Sequence, residues 1–337
     1  MCYNLLMFGK QIDFLAIGDT VTDAFIRLKE AEVHCKVNTN DCELCMKFGD
    51  KIPFESVKVV KAVGNAANAA VAGARLGLRS ALVSNLGADQ NGKECLTELQ
   101  RNGVITSYIK SHKGKPTNYH FVLWYDVDRT ILVNHVDYDY QFPAMSSPKW
   151  IYLTSLASTT YDYHMQIADY LDAHPEVKLA FQPGTFQMKL GLEKLARIYK
   201  RTEVFFVNFE EAQRILSTAS RDIKKLLKTL ADYGPKLVVI TDNTNGAYFF
   251  DGDHYYHIPM YPDPRPAIER TGCGDAFAST FTAALAKGKT PLEAFLWAPI
   301  NPMSVAQFVG AQEGLLTMDQ LEWWVKQAPA DYRPKEI

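Results

Sequence analysis

A glycine-rich turn with a single carboxylate is the part of this sequence best suited to chemistry. The turn spans Arg270–Asp275 and leads directly into an apolar run. Gly272 and Gly274 allow tight backbone geometry, and the N–H groups of such a turn, with the positive end of a following helix, attract an anion. Asp275 is then either a helix cap or a general base beside a pocket for a transferring phosphoryl group.

A helix is predicted to follow this turn. Phe277, Phe281 and Leu285 recur at a spacing of four residues, and Gly288 lies where such a helix would end. The pattern therefore places Asp275 in the first helical turn.

Composition and charge narrow the class of protein. The chain has 337 residues, 47% hydrophobic and 22% charged, with a formal net charge of -2. It has no basic run of the kind that binds nucleic acid and no apolar run near the roughly 18 residues of a membrane span. Residues 1–10 lack the features of a signal peptide. We therefore expect a globular cytoplasmic protein without nucleic-acid or membrane partners.

Three of the six cysteines form a cluster. Cys35, Cys42 and Cys45 lie close together in sequence, with His34 beside the first of them. The two-residue gap between Cys42 and Cys45 lets two thiolates reach one zinc ion, but a second pair at comparable spacing is missing. We favour small apolar residues that pack an insertion, with a metal or redox site as the alternative.

Short apolar runs alternate with helical patterns along the chain. The runs are Phe14–Ile17, Ala81–Val83, Ile151–Leu153, Leu179–Phe181, Val204–Val207 and Leu237–Ile240. Helices are predicted at Glu94–Asn102 and Asp222–Ala231. This alternation is typical of a mostly parallel sheet, with ligands at the carboxyl ends of its strands.

Two segments, about 24–62 and 112–140, break this alternation. The second predicts a hairpin, with strands at Tyr119–Tyr125 and Thr130–Val133 joined by a turn at 126–129. Together the two segments predict a small β-sheet attached to the edge of a single domain that spans residues 1–337.

A second glycine-rich element covers Val63–Gly77. It predicts a tight turn into a helix of very small residues, which can approach a neighbouring element or a ligand closely. Close packing explains most of it, but Asn65 and Asn68 need hydrogen-bond partners if they are buried. Hydroxyl groups of a ligand would supply such partners.

Over nearly its whole length the chain resembles the ribokinase/PfkB carbohydrate kinase family. Five segments match family motifs in the family's order: Gly18–Asp23, Val63–Gly77, Asn208–Glu211, Thr241–Ala247 and Thr271–Asp275. Each match alone is weak, but five in order are specific. The resemblance implies a ribokinase-like three-layer α/β fold, in which helices flank a mostly parallel sheet and a small β-sheet forms a lid.

The resemblance also implies ATP and Mg²⁺ as cofactors, and roles for individual residues. Asp275 matches the catalytic base, and Gly272, Cys273 and Gly274 match the anion hole. The residues implied in binding are Asp23, Gly64, Asn65 and Asn68 for the substrate, Thr241, Asn243, Gly246, Gly274 and Asn301 for the nucleotide, and Asn208 and Glu211 for Mg²⁺ through water. A monovalent cation such as K⁺ near Glu269 and the carbonyls around Gly310, and a homodimer through the lid strands, are further implications.

Several positions depart from the usual family pattern. Val63 replaces the first of two glycines, Asn243 stands where glycine is common, and Arg270 stands where threonine is more usual. Gln182–Gly184 occupies a region where many sugar kinases carry aspartate and asparagine. These departures concern the substrate more than the chemistry, and we expect the substrate to be a small sugar.

Three alternatives stay open. A nucleoside kinase needs an apolar slot for the base, which aromatic residues of the predicted hairpin would provide unless they only pack the sheet. These residues are Tyr119, Phe121, Trp124 and Tyr125. A phosphosugar kinase needs cationic groups in the lid, for which Arg129 and His135 are candidates. A regulator that binds without catalysis is the third alternative, and the intact Asp275 argues against it.

Overall fold

A computed structural model gives the arrangement of residues 11–29, 31–35, 42–125 and 128–337. The strands are β1 (Phe14–Ile17), β2 (Val21–Leu28), β3 (Glu32–Cys35), β4 (Cys42–Cys45), β5 (Phe54–Val63), β6 (Ser80–Gly87), β7 (Ile109–His112), β8 (Tyr119–Tyr125), β9 (Asp128–Leu132), β10 (Trp150–Leu153), β11 (Lys178–Phe181), β12 (Thr202–Asn208), β13 (Leu237–Thr241), β14 (Ala247–Phe250), β15 (Tyr255–Ile258) and β16 (Lys335–Glu336). The helices are α1 (Asn65–Arg75), α2 (Gln90–Arg101), α3 (Tyr161–Ala173), α4 (Thr185–Lys194), α5 (Ala196–Arg201), α6 (Phe209–Ile215), α7 (Ile223–Ala231), α8 (Cys273–Ala286), α9 (Pro291–Trp297), α10 (Ile300–Val305) and α11 (Met318–Lys326). The predictions for residues 1–10 and for the turn at 126–127 lie outside the described residues.

The large sheet has the strand order β16-β15-β14-β13-β12-β11-β10-β1-β6-β7. Seven neighbouring strands of this sheet run parallel, namely β13, β12, β11, β10, β1, β6 and β7. Strands β14, β15 and β16 are added antiparallel at one edge. All six apolar runs that predict strands lie in the parallel part. The predicted mostly parallel sheet is therefore confirmed.

Both faces of this sheet are buried, because alternate residues of each strand point to opposite sides. In β1, Phe14 and Ala16 join one apolar cluster with α1, α8 and α9, whereas Leu15 and Ile17 join a second cluster with α3 and α7. A strand covered on both faces needs apolar residues at every position, which explains the unbroken runs. The predicted three-layer α/β arrangement is confirmed.

Helix α8 is the central helix of one layer and starts at the glycine-rich turn. It contacts α1, α9 and α10, and its side chains from Asp275 to Ala284 are buried. Helix α1 in turn packs closely on the large sheet, since an added Cβ at its Gly73 would lie 3.2 Å from the Phe14 ring of β1. Among the described residues, none of the helices is both long enough and apolar enough to cross a bilayer.

The small sheet has the strand order β5-β2-β8-β9. Its outer pairs are antiparallel, but β2 and β8 run parallel. It begins at Val21, before the predicted segment, and β9 ends at Leu132. Tyr138 and Tyr140 then leave the small sheet and pack in the second core cluster of the large sheet.

The cysteine cluster lies on a two-stranded hairpin formed by β3 and β4. Cys35 is the cross-strand neighbour of Cys42. The described side chains Glu32 and His34 are exposed and lie 3.2 Å apart, and Cys45 is partly buried. Within the described part of the chain, no group of three or more metal-ligating side chains is close enough to hold a metal ion.

Candidate active site

A cleft of about 1300 Å³ lies between the small sheet and the carboxyl ends of the parallel strands. Strands β1, β12 and β13 end at it and place Asp19, Asn208 and Thr241 on its wall. The carboxyl edge of a parallel sheet is the usual place for a ligand in folds of this class. The glycine-rich turn forms part of the same wall.

Gly272 fixes the shape of the glycine-rich turn. It has a left-handed backbone with φ of 78° and is the residue that caps α8. A Cβ atom at this position would lie 2.2 Å from the Cβ of Ala311, so both conformation and space require glycine. Gly274 is different, because the atom nearest to an added Cβ would be Gln182 Nε2 at 3.7 Å. Its side-chain space is therefore open toward the cleft.

Cys273 is the first residue of α8 and is held against the core. Its Sγ donates to the carbonyl oxygen of Pro302 at 3.6 Å. Burial raises the pKa of this thiol to about 12. The side chain therefore stays protonated at neutral pH and contributes no nucleophile.

Asp275 lies at the base of the cleft and is almost fully buried. Its Oδ1 accepts hydrogen bonds from Asn65 Nδ2 at 2.8 Å and Gln182 Nε2 at 3.4 Å, and its Oδ2 accepts one from Asn68 Nδ2 at 2.8 Å. Burial raises its pKa above the ordinary aspartate value, and the three amides oppose that rise. Neutral donors orient the carboxylate without the strong pKa depression of a cationic partner, which suits a general base.

These contacts change the expected role of two asparagines. Asn65 and Asn68 line the cleft as predicted, but their amide groups donate to Asp275 instead of standing free for substrate hydroxyls. The Oδ1 of Asn68 also accepts a hydrogen bond from Gln312 Nε2 at 3.0 Å. Gly64 has a φ of 102°, and an added Cβ would lie 2.8 Å from the Asp19 carbonyl oxygen, so glycine is required before α1.

Sequence reasoning missed Gln182 and Gln312 as members of this site. Gln182 directly follows β11, and its Oε1 accepts from the Tyr152 hydroxyl, which fixes its Nε2 toward Asp275. Its place after a buried strand was an available signal. Gln312 lies in a loop far from any motif, and it holds both Asn68 and the Ala62 carbonyl oxygen.

Two carboxylates and two imidazoles face the cleft near the small sheet. Asp23 on β2 lines the cleft as predicted, and its Oδ1 lies 3.4 Å from His120 Nδ1. Asp19 was not predicted as a site residue, and its Oδ2 lies 3.8 Å from His135 Nδ1. Burial raises the pKa of Asp19 to about 6, although the Tyr140 hydroxyl donates to its Oδ1 at 2.7 Å.

Asn208 and Glu211 form a reciprocal cap at the start of α6. Asn208 Oδ1 accepts from the Glu211 N–H, and Glu211 Oε2 accepts from the Asn208 N–H. Both residues line the cleft. Burial raises the pKa of Glu211, although Asn208 and Arg214 act in the opposite direction. A divalent cation at this wall would relieve that cost, so these oxygen-bearing residues fit Mg²⁺.

The loop after β13 has the geometry expected of its residue types. Thr241, Asn243 and Gly246 line the cleft. Asn243 is left-handed with φ of 46°, which asparagine tolerates, and Gly246 has φ of 91° with no room for a Cβ beside the Ile258 carbonyl oxygen.

The predicted nucleotide residue Asn301 is not among the described residues that line the cleft. Its side chain is fully buried in α10. Its Nδ2 donates to Thr280 Oγ1, and its Oδ1 accepts from the Leu316 N–H. Both ends of the amide therefore hold α10 against α8 and the following loop.

Glu269 ties the glycine-rich turn to a second loop. Its Oε1 accepts from the Gly310 N–H and its Oε2 from the Thr271 N–H, each at 2.7 Å. Gly310 thus presents its N–H to this carboxylate, in the region where the resemblance implied that backbone carbonyls face a monovalent cation. Arg129 of β9 lies 3.8 Å from Oε2.

Arg270 and the aromatic residues of β8 have other partners. Arg270 forms an ion pair with Asp263 at 3.1 Å, on the rim of the cleft. Tyr119 and Phe121 line a separate shallow groove on the small sheet, and Trp124 carries the Arg27 guanidinium over its ring at 4.6 Å. The interpretation that these aromatics pack the sheet fits, and they form no slot in the cleft.

The model of the pfkB family carbohydrate kinases matches residues 37–313 of this chain. The chain belongs to this family. It is therefore a phosphotransferase with a hydroxyl acceptor, which confirms the predicted reaction class.

Relatives of this kinase are named for several acceptors, which include a nucleoside, unphosphorylated sugars and a phosphosugar. It is 27% identical over 316 residues to a nucleoside kinase of Methanothermobacter thermautotrophicus, covering 90% of this chain and 91% of the relative. It is also 27% identical over 288 residues to a ribokinase of Bacillus subtilis, covering 82% and 91%. Among solved structures, Arabidopsis thaliana ribokinase complexed with ribose and ATP has a TM-score of 0.77 at 19% identity, covering 94% of this chain and 99% of that one. This last likeness confirms the ribokinase-like fold.

Proposed function

We propose that this kinase transfers the γ-phosphoryl group of ATP to a hydroxyl group of a small sugar. The observation that carries the proposal is the placement of Asp275. This carboxylate is buried, held by three neutral amides and set beside the glycine-rich turn in a cleft large enough for two ligands. The similarity to ribokinases supports sugar as the acceptor class.

Asp275 is the general base of the proposed reaction. The acceptor hydroxyl donates its proton to a carboxylate oxygen as its own oxygen attacks the phosphorus, which requires a heavy-atom distance of about 2.6–3.2 Å. The raised pKa of Asp275 increases its affinity for that proton. Asn65 and Asn68 keep the carboxylate from rotating, so they act as positioning residues.

The glycine-rich turn receives the charge of the transferring group. Gly272 and Gly274 place backbone N–H groups at the start of α8, where the helix dipole adds a positive potential, whereas the Cys273 N–H donates to the Arg270 carbonyl oxygen at 3.3 Å. The open side-chain space at Gly274 lets a phosphoryl oxygen approach the backbone. The protonated Cys273 thiol adds no competing negative charge.

Asn208 and Glu211 hold the metal ion in this proposal, through water molecules, because Mg²⁺ keeps most of its hydration shell. The ion neutralises phosphate charge when it is bound. Thr241, Asn243 and Gly246 form the wall against which ATP lies, next to the turn. ATP in the Arabidopsis ribokinase structure supports this nucleotide.

Nucleoside is the second candidate acceptor. Ile131, Val133 and Phe186 give the cleft an apolar wall beside Asp23 and His135, which a base could use in place of the slot expected from the β8 aromatics. The relative from Methanothermobacter thermautotrophicus supports this class. A panel of ribose, fructose, their phosphates, adenosine, guanosine and cytidine, followed by ADP release and product mass, separates the candidates.

The substitution Asp275→Asn tests the base directly. We expect kcat to fall about 10²- to 10⁴-fold, because a general base contributes that much, while ATP still binds. Single-turnover kinetics and ATP titration by calorimetry measure the two quantities. Unchanged turnover would exclude Asp275 as base, and a wild-type chain that binds ATP but phosphorylates no acceptor would favour the non-catalytic regulator.

The small sheet is a lid and a dimer surface in this proposal. It covers the cleft with Asp23, Phe25 and Ile131, which would exclude water that competes for the phosphoryl group. Its other face exposes apolar side chains, namely Phe54, Val57, Val59, Phe121 and Leu132. A patch of this kind supports a homodimer, and a monomeric mass by light scattering would argue against one.

A monovalent cation such as K⁺ beside Glu269 completes the proposed cofactors. The Glu269 carboxylate is buried at the edge of the glycine-rich turn, where the positive charge of a bound cation would strengthen anion binding by the turn. Equal rates with potassium and with a large organic cation would remove this ion from the proposal.

A further inference from the structure

The lid side of the cleft carries a polar cluster of four side chains, of which the family resemblance assigns a role only to Asp23. Asp19 follows β1, Asp23 lies on β2, His120 lies on β8 and His135 follows β9. All four residues line the cleft that also contains Asp275. We call these four residues the lid-side cluster.

Each member of the lid-side cluster has a buried polar atom without a hydrogen-bond partner among the described residues. These atoms are Asp19 Oδ2, Asp23 Oδ1, His120 Nε2 and His135 Nδ1. Buried polar atoms are nearly always hydrogen-bonded, because desolvation without a partner is costly. Four such atoms on one wall indicate that a ligand supplies the missing partners.

Asp19 is the member of the cluster with the strongest need for a hydrogen-bond donor, because it is a buried carboxylate. Its side chain is 7% exposed, and its Oδ2 lies 3.8 Å from His135 Nδ1. Tyr140 donates to Oδ1, whereas the buried Oδ2 has no hydrogen-bond donor among the described residues. A buried carboxylate in this state is stabilised by a ligand that donates a hydrogen bond.

The distance between Asp19 and His135 fits one bridging hydroxyl. The 3.8 Å from Oδ2 to Nδ1 is too long for a direct hydrogen bond, but a single oxygen atom can lie about 2.8 Å from both. A hydroxyl would donate to the carboxylate and accept from an imidazole N–H. His120 and Phe186 flank the His135 ring at 5.4 Å and 5.6 Å between ring centres, which keeps this imidazole in place.

We propose that Asp19 and His135 form a specificity-determining pair that binds one hydroxyl of an unphosphorylated polyhydroxylated acceptor, distinct from the hydroxyl that receives the phosphoryl group. The negative charge of Asp19 rejects acceptors that carry a phosphate in place of that hydroxyl. The assignment rests on the proposed function and narrows its substrate class. Asp19 and His135 position the acceptor and take no part in the proton transfer at Asp275.

Kinetics of single variants test the pair. For Asp19→Asn, Asp19→Ala and His135→Ala, we expect the acceptor KM to rise about 10- to 100-fold, since a hydrogen bond to a charged group is lost. The KM for ATP and kcat should stay within about two-fold of wild type, because the ATP wall and Asp275 are unchanged. His135→Asn, which keeps a donor near the position of Nδ1, should recover part of the loss. Asp139→Asn, an exposed carboxylate paired with Lys110, is the matched control.

Deoxy analogues of the acceptor separate ligand binding from a structural role. In the wild type, one deoxy analogue should show a raised KM, and in Asp19→Ala the same analogue should bind no worse than the parent acceptor. Thermal unfolding without ligand should show the Asp19 variants folded. Losses that are equal for all analogues, together with a lowered melting temperature, would assign Asp19 a structural role and overturn the pair.

The two levels of proposal fail in different ways. A wild-type chain that phosphorylates none of the sugars or nucleosides overturns the proposed function, and the assignment of the pair falls with it. An active wild type whose acceptor KM is unaffected by Asp19→Ala and His135→Ala overturns the pair alone. A preferred acceptor that carries a phosphate on the hydroxyl identified by the deoxy analogues also overturns it.

Discussion

The glycine-rich turn and the lid-side cluster face the same cleft but treat their polar groups in opposite ways. At the turn, Asp275 accepts from three amides and Glu269 accepts from two backbone N–H groups. In the lid-side cluster, Asp19 and Asp23 each keep a buried oxygen without a hydrogen-bond partner among the described residues. The protein itself supplies the hydrogen-bond partners at the turn, whereas in our proposal a ligand supplies them in the lid-side cluster.

This difference separates chemistry from recognition. A base and an anion site work best when their geometry exists before the substrate arrives, because reorganisation during the reaction is then avoided. Recognition gains from unpaired groups, because an analogue without the matching hydroxyl leaves them unpaired and is rejected. Relatives with different acceptors can therefore share the turn and differ under the lid.

Gly272→Ala should damage the turn most. The added Cβ would overlap Ala311 at 2.2 Å and force a non-glycine residue into a left-handed backbone. We expect a loss of about 2–5 kcal/mol in the free energy of unfolding, and at least about 100-fold in kcat. Gly288→Ala is a matched control, since it has a similar φ of 84° but open space around it. Chemical denaturation and steady-state rates distinguish the two variants, and equal effects would mean that backbone strain alone matters.

Asn68→Ala should disturb the geometry around Asp275 and lower kcat, but less than Gly272→Ala. Loss of its hydrogen bond to Asp275 Oδ2 removes a contact that lowers the pKa of this carboxyl, so the pKa should rise further. We expect a 10- to 100-fold lower kcat and an acid limb of the kcat profile that moves to higher pH. A pH–rate profile measures both. An acid limb that stays in place would show that Asn68 does not hold the catalytic carboxylate.

Sequence alone predicted the strands and the turn, because both depend on local chemistry. Unbroken apolar runs identify strands buried on two faces, and the Thr271–Asp275 motif identifies the start of α8. Helix α2 starts at Gln90, earlier than the predicted Glu94, because the Asp89 side chain accepts from the Gly92 N–H and caps it there.

Long-range contacts could not be predicted from the sequence. Asn68 and Asp275 are 207 residues apart, and Asp19 meets His135 only because β1 and the loop after β9 reach the same edge. The family resemblance implied a nucleotide role for Asn301. Its contacts with Thr280 and Leu316 depend on helix packing, which motif spacing does not reveal.

Without ligand, the ionised Asp19 side chain should lower the free energy of unfolding, because its buried carboxylate lacks hydrogen bonds from the described residues at Oδ2. Its pKa rises from 3.8 to about 6 on folding, so the folded state favours the neutral form. The resulting penalty is absent below about pH 4 and reaches about 2–3 kcal/mol above pH 6. Asp19→Asn should therefore raise the free energy of unfolding at pH 7 and lose this gain as pH falls toward 4.

Denaturation of wild type and Asp19→Asn across this pH range measures the difference. The groups that face Asp19 are Tyr140, Tyr163, His120 and His135, and all four are present in both chains. A variant that is less stable at pH 7 would show that the carboxylate has partners in the folded protein, and the contrast between the two walls would not hold.

Arg129→Gln should have the smallest effect on activity, because the ion pair between Arg129 of the small sheet and Glu269 beside the turn is weak. Its guanidinium is partly exposed and lies 3.8 Å from Glu269, which already accepts from the N–H groups of Gly310 and Thr271. An ion pair of this kind contributes about 1 kcal/mol or less, so we expect a decrease of about two- to five-fold in kcat, with the wild-type advantage shrinking as salt is added. Arg27→Gln removes a comparable lid ion pair with Glu55, away from the cleft, and should leave kcat unchanged. If Arg129→Gln abolished turnover, the cation would have to act on the transferring phosphoryl group itself, and the turn would not be complete without the lid.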